Sequence, residues 1–113
     1  MTSKQLAKVM AKAADDIQAE DIIVLDLTLL TSFTDYFLIC SGKSTTQVKA
    51  IAETMMRHGK SKGRKSLGLE GYAEGEWVLV DFGDVVAHVF YHEMREHYHL
   101  EKLWGDAPQL KVK

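Results

Sequence analysis

The chain has 113 residues, 46% of them hydrophobic, and a formal net charge of −2, which is enough for one compact domain with its own core and excludes a disordered chain. No apolar run reaches the ~18 residues needed to cross a membrane, and the charged N-terminus lacks the apolar centre of a signal peptide, so the sequence predicts a cytoplasmic protein. Cys40 is the single cysteine and sits in an apolar run, which excludes an intramolecular disulfide or a cysteine-built zinc site and predicts a core thiol.

Residues 3–19 carry Leu6, Val9, Met10, Ala13 and Ile17 at three- and four-residue spacing, which predicts an amphipathic helix. DIIVLDL at 21–27 is rich in β-branched residues and predicts a strand, and TSFTD at 31–35 a loop. YFLIC at 36–40 is almost wholly apolar, as expected of a strand buried on both faces. Ser44 with Gln47 three residues on predicts a capping box at a helix start. Val48, Ile51, Ala52, Met55 and Met56 form the buried stripe of that helix, and Gly59 is its expected stop. KSKGRKS at 60–66 is a basic connector, and SLGLEG at 66–71 a short strand. EWVLVDF and DVVAHVFYH read as a hairpin turning at Gly83. EMREHYHLEKLW at 93–104 is mostly helical, and the tail from Gly105, with the one proline, is expected to fray. The order α-β-β-α-β-β-β-α implies a single α/β (α+β) domain over 1–106, a mixed sheet flanked by helices, with a frayed tail over 107–113.

Gly42-Lys43-Ser44 after a strand looks like the end of a phosphate-binding P-loop. The full motif needs a glycine five residues earlier to curl backbone N–H groups around the phosphates, and Phe37 stands there instead. Helix capping accounts for what remains. Asp81-Phe82-Gly83 mimics a kinase magnesium motif without its companions and reads as a hairpin turn. His88 and His92 are four apart along a strand, roughly 13 Å, too far for one zinc, and His97 and His99 do not share a helical face. No nucleophile and base can be paired by spacing, so no catalytic residue, metal or cofactor is assigned.

The charge is segregated. Residues 40–65 hold Lys43, Lys49, Arg57, Lys60, Lys62, Arg64 and Lys65 against Glu53 alone. Residues 66–106 hold nine carboxylates against Arg95 and Lys102, a distribution suited to a basic protein partner rather than to nucleic acid.

The segments TDYFLICSGKSTTQVKAIA, LGLEGYAEGEWVLVDFGDVVAHVF and YHLEKLW together resemble the ribosomal silencing factor family, also called RsfS or Iojap, over about residues 5–106. The matching positions are Thr34-Asp35-Tyr36, Gly42, Glu70-Gly71, Trp77, Asp81, Gly83-Asp84, His88, Tyr98, Leu100-Glu101 and Leu103-Trp104. The resemblance implies a nucleotidyltransferase-like fold without that activity, and the paired carboxylates of two-metal catalysis are indeed not obvious here. It further implies binding to the large ribosomal subunit through its universal protein number fourteen, blocked joining of the small subunit and repressed translation. Trp77, Tyr98, Leu100, Leu103 and Trp104 are then the expected anchors, with Glu70, Asp81, Asp84, His88 and Glu101 around them. Each has a plainer reading. Tyr98, Leu103 and Trp104 could close the core, Asp81 and Asp84 could shape the hairpin, and His88 could be a hydrogen-bonded core histidine. Trp77 is expected at the surface. Expected partners are the large subunit and a second copy of the chain when free, with no membrane and no sequence-specific nucleic acid. The alternative is a nucleotide-binding or nucleotidyltransferase enzyme on the same fold.

Overall fold

The computed structural model describes residues 1–98 and 105–110. Helix α1 (Ser3–Asp16) opens with a capping box in which Thr2 accepts the Gln5 N–H and the Gln5 side chain accepts the Thr2 N–H. It ends earlier than its periodicity predicts. Ile17 caps it, Gln18 turns the chain at φ 64°, and the Gln47 amide donates to the carbonyls of Ile17 and Gln18 at 3.2 and 3.3 Å. A side chain from another helix thus satisfies carbonyls that a further turn would otherwise have used.

Strand β1 (Glu20–Asp26) leads through a loop to β2 (Tyr36–Gly42), all seven residues of which are buried. Helix α2 (Thr45–Ser61) starts at Ser44, whose Oγ accepts the Gln47 N–H at 3.0 Å. The reciprocal arm differs from the predicted box: Gln47 Oε1 accepts from Lys43, one residue before the cap, at 2.6 Å. Gly59 is not the stop. The helix runs to Ser61, and a Cβ at Gly59 would lie 2.8 Å from the Phe82 ring, so that glycine lets helix and hairpin touch. Then come β3 (Gly68–Glu70), β4 (Trp77–Asp81), β5 (Val85–Tyr91), helix α3 (His92–Tyr98) and β6 (Gln109–Leu110).

The six strands form one sheet in the order β3-β4-β5-β2-β1-β6. The central pair, β2 and β5, is parallel, and the other pairs are antiparallel. The two strands with the most continuous apolar runs take the centre because only there are both faces covered. The expected mixed sheet flanked by helices is therefore the observed one. Against one face lie α1 and α2, which bury Leu6, Met10, Val48, Ile51 and Met55 on Val24, Leu38, Cys40, Val78, Val80 and Val89. The opposite face carries a smaller cluster of Leu25, Leu27, Phe37, Ile39 and Phe90, with Met94 of α3 and Ala107 packed on it.

The C-terminal residues correct an expectation. Ala107 is buried, Pro108 O accepts the Asp26 N–H at 2.8 Å, and Gln109-Leu110 pairs with β1. Residues 107–110 do not fray, because an open β1 edge gives their backbone groups partners. Among the described residues, no helix is long and apolar enough to cross a membrane.

Candidate functional site

Directly paired residues in a sheet point to the same face, so the register fixes which side chains lie opposite α1 and α2. One row runs Glu70, Leu79, His88, Ile39, Ile23 from the β3 edge inward. A second runs Trp77, Phe90, Ser41, and a third runs Asp81, Val86, Phe37, Leu25. Over the second row, α3 places Arg95, whose guanidinium donates to Ser41 Oγ at 3.1 Å and to Asp21 O at 2.6 Å. At the β3–β4 end, Glu70, Gly71, Trp77 and Leu79 line a depression of about 280 Å³.

Trp77, expected at the surface, is partly exposed. Its indole is half-buried, stacked on Phe90 at 5.1 Å between centroids and 25° between planes. Its Nε1–H donates to His88 Nδ1 at 3.1 Å. Tryptophan can only donate, so His88 must accept at Nδ1 and carry its proton on Nε2. That Nε2–H is buried and has no hydrogen-bond partner among the described residues. His88 is 4% exposed, edge-on to Phe37 at 4.6 Å. Burial pushes its pKa down to about 4, so the ring is neutral at physiological pH. The histidine lies buried against Trp77 and accepts its indole N–H.

Asp81 and Asp84 hold the hairpin. Asp81 Oδ1 accepts the Gly83 N–H at 2.7 Å, and Asp84 pairs with Arg64 at 2.5 Å. Asp81 thus shapes the hairpin turn, whereas the Asp84 side chain ties that turn to the connector before β3. Glu70 is exposed at the mouth of the depression. The side chain of Tyr98, and Leu100, Glu101, Leu103 and Trp104 entirely, lie outside the described residues.

The P-loop look-alike is occupied by the protein itself. Two N–H groups at the α2 start are taken by Ser44 and Gln47 side chains, and a Cβ at Gly75 would lie 3.0 Å from Thr45 O. A Cβ at Gly42 would crowd Val48, at 3.0 Å from its Cγ2 and 3.1 Å from its N. Among the described residues, no group of three or more His, Cys, Asp or Glu side chains is placed to hold a metal ion. Burial pushes the Cys40 thiol up to about 12, which leaves it without thiolate character.

Leu79 and Phe37 escaped the sequence reading, and Gly71 entered it only as a position matching the family. The signal for Leu79 was its alternation with Trp77, but only the β3–β4 register reveals that Glu70 faces it. Also missed was the loop between β1 and β2, which presents Leu29 and Phe33 at 94% and 65% exposure.

The description "Ribosomal silencing factor during starvation" matches residues 1–113. The chain is 49% identical over 108 residues to the Bacillus subtilis ribosomal silencing factor RsfS, covering 96% of this chain and 92% of that one. It is 42% identical over 112 residues to the protein of that name from Halalkalibacterium halodurans, covering 99% and 96%. A crystal structure of a Chromobacterium violaceum protein superposes with a TM-score of 0.91 at 42% identity, over 93% of this chain and 88% of that one.

Proposed function

The chain belongs to the ribosomal silencing factor family, and on that premise we propose that it binds the large ribosomal subunit through universal protein number fourteen. There it blocks joining of the small subunit and so represses translation. The observation that carries this reading is the held indole. Trp77 is partly exposed, fixed by Phe90 and His88, and set beside Leu79 with Glu70 at the rim. An immobilised aromatic bordered by a carboxylate suits a basic protein surface, and it loses little side-chain entropy on docking. The protein acts without catalysis, in the cytoplasm. Its P-loop-like turn is spent on capping, and the carboxylates of the hairpin are spent on the Gly83 N–H and on Arg64. When free, two copies associate with Trp77 near the interface.

Co-sedimentation tests the main reading. The protein should travel with purified large subunits, not small ones, and should lower the yield of joined ribosomes. Preference for small subunits, or normal joining at saturation, would sink it. A rise in melting temperature with magnesium and a nucleoside triphosphate would favour the enzyme alternative. A monomer by sedimentation at high concentration would remove the self-association.

A further inference from the structure

Residues 54–69, at the end of α2 and in the connector to β3, contain no carboxylate, yet Arg57, Lys60, Lys62, Arg64 and Lys65 fall within nine positions. Arg64 is committed: it pairs with Asp84 and reaches Phe82 O. The side chains of Arg57, Lys60, Lys62 and Lys65 are exposed, and none forms an ion pair among the described residues. The C-terminal carbonyls of α2 attract cations, but the dipole amounts to roughly half a charge there and does not account for four.

The backbone presents this charge as a shaped surface rather than a loose run. Lys62 donates its N–H to Gly59 O, Gly63 to Lys60 O and Arg64 to Gly59 O, so the helix end folds back on itself. Gly63 takes φ +84° with open space around it, and the Arg64–Asp84 pair pins the connector to the β4–β5 turn. Three exposed lysines are thereby held on one short, closed turn.

The residue types select the partner. From Arg57 to Ser66 there is no apolar side chain and no Phe, Tyr or Trp, and the one ring, His58, is half-buried with Nδ1 held 2.8 Å from Thr54 O. A protein interface needs buried anchors, and a single-stranded nucleic acid site needs aromatic stacking, so this segment lacks what either would use. Cations with serine hydroxyls and glycine backbone are sufficient for the phosphates of a duplex, which carry charge and no sequence. We propose that the turn formed by residues 57–65 binds the phosphate backbone of folded RNA, independently of base sequence and of the Trp77 face. The choice of RNA as the polyanion rests on the ribosomal reading above; the phosphate chemistry does not.

The test is fluorescence anisotropy of the full chain with a labelled RNA hairpin. With about four phosphates neutralised, affinity should fall about a hundredfold for a fourfold rise in salt. The triple variant Lys60→Gln/Lys62→Gln/Lys65→Gln keeps Arg64 and should melt as the parent does. It should lose hairpin binding, and the slope of log affinity against log salt should shrink by about three units. Lys4→Gln/Lys8→Gln/Lys12→Gln on α1 makes the same change in net charge and should bind normally. Absence of binding at low salt, a flat salt response, or equal losses in the two triple variants would overturn the proposal. Binding of polyglutamate in place of the hairpin would overturn it in favour of an acidic protein. The hairpin titration contains no ribosomal protein, so its failure is distinct from a failure of docking on protein fourteen, which the Trp77 variants report.

Discussion

Trp77 donates its indole N–H to Nδ1 of His88 at 3.1 Å, diagonally across the β4–β5 ladder, while its ring stacks on Phe90. The bond fixes the imidazole tautomer and leaves a buried Nε2–H with no acceptor among the described residues. One hydrogen bond thus helps set the pose of the tryptophan and fixes the tautomer of the histidine, while burial keeps that ring neutral.

Acid should therefore loosen the domain. The folded pKa of His88 is about 4, below the ordinary 6.5, so the neutral ring favours the fold. That stability is complete above pH 6.5, declines as pH falls through the interval, and is gone below about pH 4. The loss from this group is about 3 kcal/mol. His88→Phe should abolish this part of the pH dependence in denaturant titrations, while changing neutral-pH stability by about 1 kcal/mol. A variant with the parent's acid profile would show that another group is responsible.

Trp77→Ala should affect both fold and docking. Loss of the stack and of a half-buried indole costs about 2–3 kcal/mol of stability. Binding to large subunits should weaken at least about thirtyfold, or 2 kcal/mol. Trp77→Phe keeps the ring on Phe90 and should restore most of the melting temperature, which separates the two effects. If both variants bind like the parent, the docking surface lies elsewhere.

Gly71 should be intolerant of a side chain. It has φ +76°, and a Cβ would stand 2.0 Å from the Trp77 carbonyl oxygen. Gly71→Ala should cost about 3 kcal/mol or more, with displacement of β4. Gly63→Ala, at φ +84° in open space, should cost only about 1 kcal/mol. Comparable melting curves for the two variants would contradict this account.

Association with isolated protein fourteen should slow with rising ionic strength if the acidic half steers the encounter, since exposed charges are screened over about 8–10 Å at physiological salt. Stopped-flow rates that do not change with salt would remove steering from the mechanism.

Much of the fold was legible because its strands announce themselves locally. YFLIC is apolar throughout since β2 is covered on both faces, and the alternation of Val86, His88 and Phe90 marks one face of β5. The stop of α1 was not legible, because the groups satisfying it belong to Gln47, some thirty residues away. Likewise β6 exists only because β1 offers it an edge; Gln109-Leu110 has no strand pattern of its own. For the site, the family resemblance named Trp77 and His88 but not their bond. That contact joins diagonal neighbours on two strands, and only the register shows that Glu70, Leu79 and His88 share a row.

The parallel pairing of β2 with β5 also governs when the domain can form. A ribosome delivers the chain from its N-terminus, so β2 emerges long before Val85–Tyr91 is available to cover its open side. Until then, a largely apolar strand waits with unpaired backbone groups along that side, the arrangement that promotes misassociation. The central ladder closes late, across a connection holding a helix and two strands, and such non-local closure is slow. Nascent chains stalled before Val85 should be sticky and protease-sensitive, and those released after Tyr91 should become resistant.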